Sequence, residues 1–544
     1  MKAILDYVNP TDAAKRLAND RVTVGVATCG ISAGAAPVLE ELKKSGLPEP
    51  IDPVGCAGMC YNEPIVTVRQ NGAYSIYAHI ARENVGELIE SIRDGKANEK
   101  YLVGHSLQDI DYYKKQKRLV MENCGVIDPL SLEQYVASGG FTGLENALEM
   151  RPADVVKAVS DAKLRGRGGA GFPTGTKWSI IAGKTGKKYL VCNGDEGDPG
   201  AFMNRTLLES DPFRVLEGMM IAAYAIGAEE AFVYTREEYP LAIKTMDAAI
   251  KLLQERKLLG ERILDKDGFN LKISVKKGAG AFVCGEETAL MNSIMGNRGY
   301  PMPRPPFPAE KGLWGRPTNI NNVDTLGNVA TLFKIGVAEY SKVGTDMTKG
   351  TKAVCLVGKI NRAGVVEVPF GITLKEIIYD IGGGPQDGEL KAVQMGGPSG
   401  GCIPANLMDT PLDYETVTKL GAIIGSGGMI VLNDKDCMVE VARYFMSFVQ
   451  DESCGKCTPC REGNYRLMEY MEKLTSGEGT PKDLGQIRKL ALFVKDCSLC
   501  GLGQTAPNPI LSTMTYFMDE YKEHVVDKRC RSGRCKKLTG KSGT

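Results

Sequence analysis

The sequence predicts an α/β chain of several domains that finishes in a helical bundle. Length is the first reason: 544 residues exceed what one hydrophobic core serves, and three to four domains are expected. Alternation is the second, since strand-like and helix-like apolar patterns follow one another from residue 20 to about 430. The third is that only the helical period survives from residue 437 to 520. With 43% hydrophobic and 24% charged residues, the composition is that of an ordinary globular chain. Sixty-seven Lys and Arg against 66 Asp and Glu leave a net charge of +1, which argues against nucleic acid or an anionic membrane as the partner. No apolar run approaches the ~20 residues of a membrane span. MKAILDYVNPTDAAKR lacks the apolar centre of a secretory leader, so a cytoplasmic chain without direct membrane insertion is expected.

Taken in order, RVTVGVAT is an apolar strand, PVLEELKKSG an amphipathic helix ended by Gly, and PIVTVRQNGAYSIYA a strand pair around an Asn-Gly turn. Residues 1–100 thus form a small α/β unit, followed by a polar, turn-rich connection to about residue 135. Residues 101–345 hold the largest α/β domain, with the densest Gly and Pro near their middle. Residues 346–433 carry AVCLVGKI, GVVEVPFG and AVQMGG around one helix, LKEIIYDIGG, a small α+β module. Residues 434–520 return to helices joined by short loops. A basic, polar tail, 521–544, closes the chain.

GRGGAGFPTGTKW contains G-x-G-x-x-G at Gly166, Gly168 and Gly171. A dinucleotide fingerprint needs a strand before it and a helix after it. Here a helical pattern, VVKAVSDAKLR, precedes it and Phe172-Pro173 follows, so the ordinary fingerprint reading fails. A loop remains whose missing side chains let backbone N–H groups approach a phosphate, with Arg167 and Lys177 as positive charges; a plain Gly-rich turn is the bland alternative. Two later segments favour the binding loop. YLVCNGDEGDPGAF is a strand opening onto Asn193, Asp195, Glu196 and Asp198, and SVKKGAGAFVCGEETALMNSI turns at Gly285 before Glu286 and Glu287 open a helix. Acidic residues suit a helix start for dipole reasons alone, but acids and amides at strand ends also suit a cofactor crevice.

Sixteen cysteines in a chain without a leader are poor disulfide material. Six isolated ones, Cys124, Cys192, Cys284, Cys355, Cys402 and Cys437, read as buried core residues. Cys454-x2-Cys457-x2-Cys460, with a distant cysteine at 497 or 500, suits an iron–sulfur cluster; three close ligands and one remote resemble a [4Fe–4S] site more than a zinc finger built from two pairs. His524-x5-Cys530-x4-Cys535 is a candidate zinc site, with Cys497 as its fourth ligand.

GRGGAGFPTGTKW, CNGDEGDPGAF, CGEETAL, RPPFPAEKGLWGRPTNINNVDTL and SCGKCTPCREG together resemble the NADH-binding flavoprotein subunit of respiratory complex I, and more closely its relatives in soluble NAD-linked iron-only hydrogenases and formate dehydrogenases. The resemblance implies a thioredoxin-like N-terminal domain, a Rossmann-like FMN and NAD(H) domain, a small ubiquitin-like (SLBB) domain and a helical domain holding a [4Fe–4S] cluster. It implies that Gly166, Arg167, Gly168, Gly169, Lys177, Asn193, Asp195, Glu196, Gly285, Glu286, Asn321 and Asn322 hold FMN. Phe172 and Phe307 would sandwich the adenine of the nicotinamide cofactor, with Asp198, Glu287 and Arg304 beside it; at Asp198 and Arg304 the family often has Glu and Lys, which keep the charge. It assigns Cys454, Cys457, Cys460 and Cys500 to the cluster. The N-terminal domain of these relatives holds a [2Fe–2S] cluster on Cys-x4-Cys and Cys-x3-Cys. Cys29, Cys56 and Cys60 match three of the four, but Val24 stands at the first, which leaves a degenerate domain kept for docking as the favoured reading.

The function so implied is a diaphorase subunit. It transfers a hydride between NAD(H) and FMN and passes single electrons through the [4Fe–4S] cluster to a catalytic hydrogenase or formate dehydrogenase subunit, with electron bifurcation left open. No side-chain acid or base is required for that transfer, so no catalytic residue is named. A small thioredoxin-like [2Fe–2S] subunit is a second expected partner. A complex I subunit is the alternative within the class, and a non-catalytic scaffold the alternative outside it. A scaffold would have lost flavin-loop or cluster residues, and none is lost.

Overall fold

The computed structural model describes residues 2–538, so the last six residues of the tail lie outside it. The N-terminal unit is a five-stranded sheet of β1 (Arg21–Gly25), β2 (Ile51–Val54), β3 (Val66–Gln70), β4 (Ala73–Tyr77) and β5 (Leu102–Gly104), in the order β2-β1-β3-β4-β5. Only β1 and β2 run parallel; β3 and β4 form the hairpin expected from Asn71-Gly72. Helices Ala35–Lys44 and Val85–Arg93 cover the sheet with Val38, Leu42, Leu88 and Ile92. The second helix and β5 were expected in the connection; packing of Leu88 and Ile92 against Val22 and Val66 draws them into the sheet instead.

The second sheet is wholly parallel: β6 (Tyr189–Gly194), β7 (Glu230–Arg236), β8 (Lys272–Gly278) and β9 (Thr318–Asn322), in the order β8-β7-β6-β9. Helix Pro212–Ile226, apolar almost all round, is buried between this sheet and helix Val323–Ile335. Gly218 permits that crossing, because a Cβ there would stand 2.0 Å from the Leu326 carbonyl oxygen. The chain winds β6 to β7 to β8 in one direction and then returns to place β9 on the other side of β6. The carboxyl ends of β6 and β9 therefore part at a topological switch point, where open α/β sheets bind their ligands.

A third sheet follows, with β10 (Thr351–Gly358), β11 (Gly364–Pro369), β12 (Leu390–Met395), β13 (Gly401–Pro404) and β14 (Gly428–Asn433) in the order β11-β10-β14-β12-β13. Strand β13 is short and β14 emerges from a Gly-Ser-Gly-Gly run, so neither stands out in the sequence. Lys352 of β10 reaches across to Asp324 at 3.0 Å, and both side chains are essentially inaccessible. Met203 Sδ and the Ser426 carbonyl take its remaining donors. Removing one partner of such a pair strands the other charge, so Lys352→Met is expected to destabilise the chain by about 3–5 kcal/mol, read from denaturant unfolding; a loss under about 1 kcal/mol would show that the pair does not hold the two sheets together.

The remaining helices are Met438–Asp451, Thr458–Ser476, Pro481–Cys497, Gly501–Thr505 and Asn508–Tyr516, as the helical period requires. Met438, Ala442, Phe445, Met446 and Val449 make one buried stripe, each large side chain contributing about 1.5–3 kcal/mol. Among the described residues no helix is long and apolar enough to cross a membrane.

Candidate functional site

The switch point is lined by the residue types singled out from the sequence. Asn193 ends β6, and its Nδ2 donates to the Gly285 carbonyl at 3.0 Å while its Oδ1 accepts from the Asp195 amide at 3.0 Å. Asn322 ends β9, accepts from the Asp324 amide at 2.9 Å and so caps helix Val323–Ile335. The glycine loop lies against it: a Cβ on Gly168 would sit 3.1 Å from the Asn322 Cβ, and the Arg167 amide donates to Thr325 Oγ1 at 2.8 Å. Gly169 has φ +146° and faces Gly425, a backbone approach that a side chain would block. Helix Thr174–Ala182 follows the loop and presents Lys177, whose ammonium pairs with Glu287 and donates to the Ile320 carbonyl at 2.7 Å.

Several expected contacts are placed differently. Arg167 is fully buried behind the loop: its guanidinium donates to the Lys349 and Arg165 carbonyls at 2.6 and 3.0 Å and lies 4.6 Å from the Phe370 ring centroid. It anchors the loop, and its charge does not reach a phosphate. Glu196, 2% exposed, accepts from the Asn204 and Arg205 amides at 3.1 Å each and caps helix Met203–Ser210. Glu286 does the same for helix Glu287–Ile294 through Thr288 and Ala289, the dipole reading of an acid at a helix start. Asn321 Oδ1 is taken by Trp178 Nε1 and Asn319 Nδ2 at 2.9 and 2.7 Å. Asp198 accepts from the Ser426 hydroxyl and meets Gly397, at the seam with the third sheet.

What remains unsatisfied is informative. Asp195 Oδ2 is buried without any hydrogen-bond partner, and burial raises its carboxyl to about 7. An unpaired buried oxygen is costly, so the cleft has room for a donor from a ligand. Phe172 and Phe307 are each 53% exposed and Arg304 is exposed, so flat apolar faces and a cation stand free beside the cleft.

The cleft shares one apolar core with the cysteine motif. Val191, Ile320, Cys284 and Leu290 pack in the same cluster as Cys460, Cys500 and Leu502, with Cys454 and Cys457 against it. The Phe282 amide donates to Glu452 at 2.8 Å, Phe282 meets Phe448 edge-on at 5.3 Å, and Lys456 Nζ donates to the Pro301 carbonyl at 2.6 Å. Cys457 caps helix Thr458–Ser476, Cys460 lies in its first turn and Cys500 caps Gly501–Thr505, so helix N-termini face the thiols. Asn464 Nδ2 and the Ser453 hydroxyl lie 3.3 Å from Cys460 Sγ, and the Leu499 amide 3.5 Å from Cys457 Sγ, as second partners of thiolate ligands. Burial holds the Cys460 thiol up at about 11 in the absence of a metal.

Among the described residues, two groups bring metal-ligating atoms all within 4.8 Å of one another. The first is Cys437, His524, Cys530 and Cys535. Cys437 Sγ is 3.8 Å from Cys535 Sγ, and His524 Nε2 is 3.4 Å from each of those two sulfurs. A tetrahedral zinc with bonds of about 2.0–2.3 Å sets its ligands roughly 3.5–3.8 Å apart, so the group fits that ion. His524 Nδ1 lies 2.7 Å from the Glu520 carbonyl, which turns Nε2 toward the sulfurs. The Cys535 hydrogen bond pulls the Cys437 thiol down to about 4, giving a ready thiolate. Cys437, expected in the core, replaces Cys497, which is exposed at the end of helix Pro481–Cys497. No spacing rule could find Cys437, since it lies 87 residues before His524. The second group is Cys29, Cys56 and Cys60.

Comparison with known proteins agrees with this layout. Residues 159–331 match the family model described as the Nuo51 FMN-binding domain, 353–402 the SLBB domain, and 440–524 the NADH-ubiquinone oxidoreductase-F iron-sulfur binding region. The chain is 53% identical over 427 residues to the NADP-reducing hydrogenase subunit HndC of Solidesulfovibrio fructosivorans, covering 78% of this chain and 87% of that one. It is 42% identical to an NADH-quinone oxidoreductase subunit of Rhizobium meliloti (76% of this chain, 98% of that one) and 34% identical to the NAD-reducing hydrogenase HoxS subunit alpha of Cupriavidus necator (87% and 76%). A crystal structure of NAD+-reducing [NiFe]-hydrogenase in the H2-reduced state superposes with a TM-score of 0.67 at 29% identity, covering 93% of this chain and 84% of that one.

Proposed function

The chain belongs to the family of FMN- and [4Fe–4S]-binding flavoprotein subunits shared by NADH-quinone oxidoreductases and NAD(P)-linked hydrogenases, and on that premise we propose that it is the diaphorase subunit of an NAD-linked hydrogenase complex. It moves electrons between NAD(H) and a catalytic partner subunit. The observation that carries this reading is the cleft at the ends of β6 and β9 sharing one core with Cys454, Cys457, Cys460 and Cys500. Bound FMN supplies the exchange of a two-electron hydride for single electrons, and the [4Fe–4S] cluster supplies their one-electron exit.

The protein's own residues bind and orient. Backbone N–H groups of the loop at Gly166, Gly168 and Gly169 cradle the phosphate, with Lys177 as the nearby cation. Asp195 accepts from a flavin hydroxyl, and Asn193 and Asn322 fix the strand ends that frame the ring. Phe172 and Phe307 stack the adenine, with Glu287 and Arg304 at the rim. A hydrogenase subunit is the proposed acceptor, a formate dehydrogenase subunit the second candidate, and a small thioredoxin-like [2Fe–2S] subunit the neighbour that the chemistry favours. The domains proposed are a thioredoxin-like unit over 1–100, the Rossmann-like FMN and NAD(H) unit over 101–345, the ubiquitin-like unit over 346–433, the cluster bundle over 434–520, and a zinc-bound tail beyond it. A reducing cytoplasm suits the three thiol groups.

Anaerobic protein reconstituted with FMN, iron and sulfide should reduce a viologen dye with NADH; flavin-loaded protein without that activity would sink the reading. Asp195 gives a sharper test. Flavin donors stabilise its charged form and lower a carboxyl that stands at about 7 in the empty cleft, so FMN binding releases a proton below that pH. Affinity should therefore climb as pH rises toward about 7, by no more than about tenfold per unit, and level off above it. Asp195→Asn should flatten that slope in a flavin-fluorescence titration.

A further inference from the structure

The N-terminal thiols do not suit the two-iron cluster that the resemblance implies. A [2Fe–2S] cluster divides four ligands into two pairs, one on each iron, and so holds the pairs apart. Cys29, Cys56 and Cys60 instead converge with all sulfurs within 4.8 Å, and Cys56 and Cys60 are 3.7 Å apart, the edge of a tetrahedron around one ion. The position of the missing thiol offers no donor: Val24 lies inside β1, fully buried among Val38, Val66 and Leu88.

A fourth donor comes from elsewhere. Glu63, only 7% exposed, directs Oε1 to within 3.5 Å of Cys29 Sγ. Its Oε2 accepts from the Ile65 amide at 3.0 Å, and the carboxylate lies so close to Gly25 and Gly30 that a Cβ on either would stand 3.2 Å from it. The carboxylate is thus locked with one oxygen tied to backbone and the other aimed at the thiols. Among the described residues it has no Lys or Arg partner, so a buried anion and three buried thiols share a place that lacks a counter-charge. We propose that Cys29, Cys56, Cys60 and Glu63 bind a single zinc ion, and that the N-terminal unit is redox-silent.

The surroundings make this a clasp. The Gly58 amide donates to Cys56 Sγ at 3.2 Å, as a second partner of a thiolate ligand does. The Cys56 amide donates to Ser210 Oγ at 2.9 Å, and beside Cys29 the Thr28 amide and hydroxyl donate to Glu209 at 2.9 and 2.6 Å. Ser210 and Glu209 end the helix that Glu196 caps in the flavin domain. A zinc ion here fixes the two loops that dock the N-terminal unit onto the flavin domain, and three thiolates with one carboxylate suit zinc's borderline softness.

Zinc and iron per full-length chain, chelator resistance and zinc X-ray absorption decide it, in the wild type, Glu63→Gln and Glu63→Cys. Glu63→Gln should lose one zinc to a chelator that the wild type withstands, with affinity falling by at least the roughly ten- to hundredfold that an outer-shell partner is worth. Glu63→Cys should keep that zinc, and its averaged shell should gain sulfur at the expense of oxygen. Equal zinc content and resistance in Glu63→Gln and wild type would overturn the proposal. Iron beyond that of the [4Fe–4S] cluster, with a [2Fe–2S] EPR signal that Cys56→Ser abolishes, would overturn it as well.

Discussion

Cys457→Ser is expected to leave a flavoprotein that still reduces ferricyanide with NADH but passes electrons to its partner more than about a hundredfold more slowly. The flavin cleft does not depend on Cys457, whose sulfur faces Leu499 and the helix start at Thr458. The cluster does, and a missing thiolate ligand costs more than the roughly ten- to hundredfold of an outer-shell partner. The two activities should therefore separate, with FMN absorbance kept and the [4Fe–4S] EPR signal lost on reduction. Equal loss of both would mean that the bundle had unfolded, and Asn464→Ala, which removes only the neighbour at 3.3 Å from Cys460, would then distinguish a damaged cluster from a damaged fold.

Cys437→Ser should release the zinc of the tail. Structural zinc is worth about 10–16 kcal/mol in small domains, of which the tail can use only what its own ordering costs. The expected result is loss of one zinc and rapid trypsin cleavage among Lys528, Arg529, Arg531 and Arg534, a stretch that otherwise folds back onto Glu523 and Gly479. Cys497→Ser, on an exposed thiol, should change neither zinc content nor cleavage. If Cys497→Ser lost the metal and Cys437→Ser kept it, the assignment of the ligands would be reversed.

The sequence disclosed what depends on local pattern. The Asn71-Gly72 hairpin, the helical period after residue 437 and the Cys454-Cys457-Cys460 run are all local signals, and the helices fall where the period puts them. The fate of a polar side chain is a tertiary matter. Glu196 and Glu286 read as flavin ligands, but each spends its carboxylate on the helix that begins within its reach, and Arg167 spends its charge on carbonyls behind the loop. Cys437 shows the same limit from the other side. It reads as one more core cysteine because its three companions arrive from a tail that folds back over the bundle. Glu63 gave no signal at all, since a lone acid before a proline in a turn has no motif to belong to.

The common core of flavin cleft and cysteine bundle has a consequence for how such a protein can be rebuilt. Val191 and Ile320 from the sheet interleave with Ala491, Val494 and Leu502 from the helices, with no linker between the two halves. Neither half can be grafted into another scaffold without baring an apolar face that its partner now covers. Exchanges between related enzymes, whether in the laboratory or in evolution, must therefore carry the two together as one cassette, while the N-terminal unit, with a separate core around Val22 and Val66, is free to be recombined.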